Sequence, residues 1–377
     1  MAWRIVLFLG VLLAVLGGAG SYMALRSMAL CPPLGRHPSW VWGFFGAFTL
    51  LLFLAPILQR VPGLDSHVAP LFWLAHILFS LVSTYFVTLL MADIVQGLLR
   101  FGGWRIGPWA VGCALGVTLL ACGWGAVMAL RPVEVRRVEI PITGLPQELE
   151  GFRIVQISDL HLGPLVRRAQ VDHVVSQSNA LHPDLIAITG DLVDGEADGV
   201  RPLAERMRIL HARHGVFFIT GNHEYYSGVT RWLEVIRGMG WKVLDNECQI
   251  IQHGSAGLAV AGMPDPASRS LPGHKGPDLR KTLANAPSDM PLVLLYHPPT
   301  GTKAAARSGV DLQLSGHTHG GQYFPWNMAV SAIFDHPRGL SREGAMWVYT
   351  SVGTGFWGPP NRLLVPPELT LIILKRG

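Results

Sequence analysis

An α/β domain carried behind a bundle of transmembrane helices is the fold class this sequence predicts, and three observations predict it. The first 130 residues contain four runs of about 20 residues without Lys, Arg, Asp or Glu, the length that crosses a bilayer as a helix. Beyond residue 131, short runs rich in β-branched residues alternate with helical patterns, as in sheets covered by helices. Five of those short runs end in Asp, Asn or His.

The apolar runs are residues 5–25, 40–58, 69–92 and 106–130. Trp3, Trp40, Trp42, Trp104 and Trp109 stand near their ends, as interfacial aromatics do. A cleaved signal peptide is the alternative for the first run, but its apolar stretch is long and three more follow. Glycines at 10, 17, 18 and 20, and at 112, 116, 123 and 125, suit close helix packing. His76 lies inside the third run and Asp93 at its end. A packed neutral His and an interfacial Asp are the plain readings; a function for these intramembrane ionisable residues is the alternative.

Four spans put both termini on one side. Arg4, Arg60, Arg131, Arg136 and Arg137 then flank the side of the soluble domain, and Arg26, Arg36, Arg100 and Arg105 the other. The excess of one arginine leans towards a cytoplasmic soluble domain, with export as the alternative.

Charge is distributed unevenly. Residues 1–130 hold six of the 30 basic and two of the 25 acidic residues, so residues 131–377 are nearly neutral. No basic patch in that part supports a nucleic-acid partner. Cys31, Cys113 and Cys122 lie in the apolar third and Cys248 alone beyond it. Without a CxxC pair, neither a disulfide framework nor a cysteine zinc site is expected.

After a link over 131–150, which carries the first strand, the domain is expected over 151–377. Strands are expected at 133–140, 152–157, 185–189, 216–220, 249–252, 257–261, 292–296, 311–314, 346–350 and 369–374, and helices at 166–180, 200–213, 230–239 and 300–308. "RIVQISDLHLG" ends in Asp159 and His161, "DLIAITGDLVD" reaches Asp191, and "GVFFITGNHE" ends in Asn222, His223 and Glu224. "PLVLLYHPP" delivers His297, and "DLQLSGHTHG" delivers His317 and His319.

Each cluster alone has a plainer reading. Gly-Asp after a strand is often a turn, Asn-His can cap a helix, and His before two prolines suits a loop. Together they share one grammar, and ligand sites in open α/β sheets form beyond the carboxyl ends of strands. Imidazole with carboxylate and no thiolate suits Mn, Fe, Zn and related divalent ions. A shared carboxylate can bridge two such ions, and His-x-His can address both. Gly316 and Gly320 are expected to leave room for a phosphate at that turn.

The blocks "SDLHLG", "GDLVD", "GNHE", "YHPP" and "SGHTHGG", in this order, resemble the calcineurin-like metallophosphoesterases over about residues 150–375. The resemblance implies a four-layer α/β sandwich of two mixed β-sheets flanked by helices. It implies two divalent ions, Mn first among Fe, Zn, Co and Mg. Asp159, His161 and His319 would hold the first ion and Asn222, His297 and His317 the second, with Asp191 bridging. His223 would contact the scissile phosphate and aid the leaving group, and a metal-held hydroxide would be the nucleophile. Asp194 and Glu224 would support these residues. His173, His182, His211, His214, His253, His274 and His336 fall outside the blocks and are not expected as ligands.

The chain looks closest to a membrane-associated branch similar to UDP-diacylglucosamine hydrolases. That implies phosphodiester or pyrophosphate hydrolysis of a lipid-linked substrate by an integral protein of a bacterial inner membrane. The aromatic segments 322–334 and 355–362 fit this, with Tyr323, Phe324, Trp326, Phe356, Trp357 and Arg362 as candidate substrate contacts. Packing against the sheet edge or the helices is their alternative. A phosphomonoesterase, or a non-catalytic sensor of phospholipid headgroups, are the competing functions.

Overall fold

The computed structural model describes residues 2–58, 65–104, 107 and 109–377, which form two compact units. Arg60, Arg105 and Ile106 lie outside the described residues.

The first unit comprises Met1–Val127 with Gly358–Leu363. Its helices are α1 (Ala2–Leu30), α2 (Pro32–Gly35), α3 (Pro38–Leu58), α4 (Asp65–Phe101) and α5 (Trp109–Leu130). Among the described residues, Leu13–Leu30, Trp73–Phe101 and Trp109–Leu130 are long and apolar enough to cross a membrane; the apolar stretch of α3, Pro38–Leu54, is shorter. Met23 and Ala24 of α1, Phe45 and Phe48 of α3, Val82 and Leu89 of α4 and Ala114 of α5 form the buried seam.

The charge inside this bundle is paired. Arg26 of α1 grips both carboxylate oxygens of Asp93 on α4, its Nε donating at 2.7 Å, and Tyr22 Oη donates to the same group at 2.7 Å. Arg26 and Asp93 were expected on unrelated grounds, one as a flanking charge and one as an interfacial acid. Their pairing neutralises both in apolar surroundings. The segment Gly358–Leu363 packs among the same helices. Asn361 Nδ2 donates to Ser80 Oγ at 2.7 Å, and the Arg362 amide donates to the Gly125 carbonyl at 2.9 Å. A Cβ on Gly125 would lie 1.8 Å from Asn361 Oδ1, so only glycine fits there.

The second unit, Met128–Trp357 with Leu364–Gly377, is the α/β sandwich. Its strands are β1 (Glu134–Ile142), β2 (Arg153–Ile157), β3 (Leu185–Thr189), β4 (Val216–Ile219), β5 (Lys242–Val243), β6 (Glu247–His253), β7 (Ala256–Gly262), β8 (Leu292–Leu295), β9 (Leu312–Ser315), β10 (Gly339–Glu343), β11 (Met346–Thr350) and β12 (Glu368–Arg376). Its helices are α6 (Arg168–Ala180), α7 (Ala197–Ala204), α8 (Asn222–Tyr226), α9 (Val229–Gly238), α10 (Leu279–Thr282), α11 (Thr302–Arg307) and α12 (Trp326–Ile333). One sheet runs β1-β12-β2-β3-β4-β5 and the other β10-β11-β9-β8-β7-β6. Both are mixed: β2 to β5 are parallel with β12 antiparallel to β2, and β7, β8, β9 and β11 are parallel with β6 and β10 antiparallel at the edges.

The alternation within each strand builds the layers. Ile154, Leu185, Ala187, Phe217 and Ile219 face Leu258, Val260, Leu295 and Leu314 between the sheets. Their neighbours Val155, Ile157, Ile186 and Ile188 turn outward onto Val171, Val174, Trp232 and Ile236 of α6 and α9. On the other flank Ala259, Ala261, Leu294 and Val348 meet Ala305 of α11.

Three expectations differ from this fold. The helix expected to run to residue 213 ends at Ala204 and continues only as a 3-10 turn, Glu205–Ile209, after Pro202. The edge strands β5 and β10 carry no apolar pattern long enough to signal them. Within the aromatic segment 322–334, where no helix was expected, Trp326–Ile333 is helical.

Phe217 is fully buried between the sheets. Phe217→Ala is expected to cost about 3–5 kcal/mol, read as a lower thermal midpoint of the detergent-solubilised protein with the helical content of the first unit retained.

Candidate metal centre

The parallel strands of both sheets deliver the polar clusters at their carboxyl ends. Asp159 and His161 follow β2, Asp191 follows β3, Asn222 and His223 open α8 after β4, His297 follows β8, and His317 and His319 follow β9. Five of these residues, Asp159, His161, Asp191, His317 and His319, have φ between 50° and 71°. That left-handed conformation is unfavourable for non-glycine residues and concentrates at functional sites. Turning the chain this way aims each side chain back over the strand ends.

Glu224 holds the β3 turn in place. Its Oε2 accepts from the amides of Asp191 at 3.0 Å and Gly221 at 2.6 Å, and its Oε1 from Leu192 at 2.8 Å and Val193 at 3.2 Å. Burial, joined by the nearby Asp191 charge, pushes its pKa up to about 7. Four N–H donors nevertheless require acceptors on both oxygens, so this geometry holds the carboxylate. Gly316 serves the same packing. A Cβ there would lie 2.0 Å from Ser158 Oγ and 2.2 Å from Asp159 Oδ2. The room expected for a phosphate beside Gly316 is therefore filled by the chain's own Asp159.

The side chains converge in three groups, each with ligand atoms within 4.8 Å of one another: Asp159, His161 and His319; Asp191, His297 and His317; and His161, Asp194 and His223. His161 Nε2 and His319 Nε2 are 3.0 Å apart, and His319 Nε2 is 3.4 Å from Asp159 Oδ1. Asp191 Oδ2 lies 3.1 Å from His297 Nε2 and 3.9 Å from His161 Nε2, so it stands between the first two groups. Asn222 Oδ1 is 3.0 Å from His317 Nδ1. His297 Nδ1 is 2.7 Å from the Thr189 carbonyl. The proton therefore belongs on Nδ1, leaving the Nε2 lone pair facing the centre beside Asp191, where a cation would be needed between the two acceptors.

These donors fit divalent ions. Asp159 and Asp191 are 0% and 3% exposed, and among the described residues no Lys or Arg pairs with either. Buried carboxylates need a compensating cation. His297 Nε2 and His161 Nδ1 are buried without a hydrogen bond of good geometry. Oxygen and imidazole donors without a thiolate are the set that Mn, Fe and Zn accept.

Among the protein groups themselves, charge separates along the site. Burial, reinforced by the Asp191 charge, pushes Asp159 up to about 6. Burial also opposes the charge of Asp191, but His297 outweighs it and holds Asp191 well below the usual carboxylate range. Burial drives His161 down to about 3 and His317 to about 4, keeping both neutral and able to ligate. His223 goes the other way. Burial lowers it, but the Asp194 hydrogen bond at 3.0 Å and the Asp191 and Asp194 charges raise it above an ordinary imidazole.

Of the candidate substrate contacts, Tyr323 and Phe356 are buried and Phe324 is half-buried, whereas Trp326 and Trp357 are exposed. The Trp357 ring packs on His223 with centroids 5.5 Å apart. Arg362 belongs to the helical unit and is fully buried there. Tyr226, 5.3 Å from the His223 ring, is a residue the sequence reading passed over. It lies two positions beyond Glu224 in the "GNHE" block, and that proximity is its only signal. Among the other histidines, His214 and His253 face each other at 3.0 Å and His336 contacts Ser341 and Glu343.

Buried imidazoles and carboxylates converging beyond parallel strands of a two-sheet sandwich define a divalent-metal centre of the phosphoester-hydrolase class. The family model for calcineurin-like phosphoesterases matches residues 152–321. A "Transmembrane protein with metallophosphoesterase domain" of Danio rerio is 38% identical over 274 residues, 70% of this chain and 62% of its own. This chain therefore spans less than two thirds of that relative. An uncharacterized metallophosphoesterase of Helicobacter pylori is 32% identical over 68% of each chain, and one of Aquifex aeolicus is 34% identical over 64% of this chain and 92% of its own. The chain belongs to the calcineurin-like metallophosphoesterase family.

Asp191 stands between both ligand groups, so Asp191→Asn is expected to lower the bound metal by more than one equivalent. Elemental analysis of protein dialysed against a weak chelator measures this; full retention of metal would contradict the placement.

Proposed function

We propose that this protein is a membrane-anchored dinuclear-metal phosphoesterase that cleaves a phosphodiester or pyrophosphate bond in a lipid or lipid-linked substrate. One observation carries the reading: Asp191 of one ligand group lies 3.9 Å from His161 of the other, and the protonatable His223 lies beside them. Asp159, His161 and His319 would hold one ion, Asn222, His297 and His317 the other, and Asp191 would bridge. Mn fits this donor set, as do Fe, Zn, Co and Mg. Two divalent ions, when bound, polarise a phosphoryl group and acidify a water.

The chain's own residues supply the rest. The His161 and His223 rings meet at right angles with centroids 4.5 Å apart, placing His223 beside the ligand groups. Asp194 holds His223 Nδ1, leaving Nε2 as the nitrogen that would give its proton to a leaving oxygen. Glu224 and Gly316 keep Asp191 and Asp159 in place while charge develops.

A lipid-linked substrate is favoured by the membrane helices, four of them on our reading of the apolar runs. Exposed Trp326 and Trp357 near the centre favour it too. We place the protein in a bacterial inner membrane with this domain on the cytoplasmic side, following the arginine count. No basic surface argues for a nucleic-acid substrate.

Purified protein with Mn²⁺ should hydrolyse bis-p-nitrophenyl phosphate, and faster than the corresponding monoester; no turnover would sink the hydrolase reading. His223→Ala should lower kcat by about 10²–10⁴-fold while metal content is retained. The Asp194 carboxylate raises the His223 pKa, so the protonated imidazole persists to higher pH than usual. In Asp194→Asn burial dominates instead and the pKa falls. The basic limb of the kcat–pH profile should therefore move to lower pH, and an unmoved limb would exclude His223 as the acid.

A further inference from the structure

We propose that α12 is a bilayer-inserting helix that opens the metal centre onto the lipid–water interface. Residues 322–334, "QYFPWNMAVSAIF", contain no ionisable side chain except the buried phenol of Tyr323. α12 itself buries no residue. Trp326, Met328 and Ile333 are 39%, 64% and 73% exposed. A helix in contact with water on this scale ordinarily carries a charged face. This one has none.

The helix is held against the ligand turn. A Cβ on Gly321 would lie 2.3 Å from the backbone of Asn327, so the first turn of α12 rests directly on the chain leaving His319. At its other end, Phe334 packs on the His317 ring at 6.3 Å. Exposed Tyr226 and Trp357 rings stand on His223. Thus exposed apolar groups border the centre next to His317 and His319 and also next to His223. Such a contiguous surface marks an interaction site.

The occupant to which these observations point is the bilayer. α5 ends at Leu130 and β1 begins at Glu134. An extended link that short reaches at most about 10–14 Å, so β1 begins within that reach of the end of a helix long and apolar enough to span a membrane. An uncharged apolar helix with Trp at one end has the makeup of an interfacial anchor, and its first charged flanking residues, Asp335 and Arg338, lie beyond the last turn. In this position α12 would let a lipid present its phosphate to the centre with its acyl chains still in the membrane. This part deepens the lipid-linked reading above and rests on it; the insertion itself does not.

The test uses the full chain reconstituted in phosphatidylethanolamine–phosphatidylglycerol vesicles. A Met328→Cys variant, in a background with Cys31, Cys113, Cys122 and Cys248 replaced by Ala, is labelled with an environment-sensitive fluorophore. Insertion predicts quenching by nitroxide-bearing lipids and protection from aqueous iodide. Quenching by iodide alone, or protection from both quenchers as under a protein partner, would overturn the proposal. A second arm compares wild type with Met328→Glu and Ile333→Asp. Hydrolysis of a vesicle-embedded phosphodiester lipid should fall about tenfold while soluble bis-p-nitrophenyl phosphate is cleaved at the wild-type rate. Equal rates on both substrates in all three proteins would also overturn it. Failure of the wild type to cleave the soluble diester would count against the hydrolase reading alone, because the quenching result stands without turnover.

Discussion

The constraint on which this structure depends is the burial of Asp159 and Asp191 in an interior that offers them no Lys or Arg among the described residues. Two carboxylates withdrawn from water repel each other and lose hydration. They are tolerable only when imidazoles and cations surround them. The arrangement of His161, His297, His317 and His319 follows from that need. Burial works against the Asp191 charge at His161 and His317 and keeps both uncharged, with lone pairs free for a cation.

Holding the carboxylates requires backbone shapes that most residues resist. Five candidate ligands adopt left-handed φ, and each is locked by neighbours rather than by its own preference. Glu224 ties together four amides around the Asp191 turn, and the His317 amide donates to both oxygens of Asp159 at 3.0 and 3.1 Å. The apolar sandwich beneath stays rigid enough to carry this strain. Its strand ends converge because both sheets place their parallel strands in the same sense beneath the site. Family membership and the site geometry thus have one physical root, a sandwich that makes a buried anionic edge affordable.

The helical unit solves a related problem with protein charges alone. Arg26 and Asp93 meet across α1 and α4 in a bidentate pair reinforced by Tyr22. Each would be costly alone in apolar surroundings, and together they add directional hydrogen bonds to a seam otherwise made of apolar contacts. The same unit accepts Gly358–Leu363, where Gly125 makes space for the Asn361 amide.

Local patterns were enough for much of this. Apolar run length announced the helices α1, α3, α4 and α5, three of which are long and apolar enough to cross a membrane among the described residues. Short, nearly unbroken runs rich in apolar and β-branched residues announced β2, β3, β4, β7, β8, β9 and β11, since each is buried on both faces. The strand-end blocks named Asp159, His161, Asp191, Asn222, His223, His297, His317 and His319, because polar residues directly after buried strands are rare without a purpose. Only the tertiary structure could decide what depends on distant partners. β5 and β10 are edge strands whose pairing, not their composition, makes them strands. α12 rests on Gly321 and the His319 turn, a packing that its aromatic text does not announce. The space beside Gly316 belongs to Asp159, which lies 157 positions earlier in the chain. The sequence by itself determined which residues can bind metal. The packing of two sheets decided which of them meet, because distances between strand ends are set by the sandwich and by no local preference.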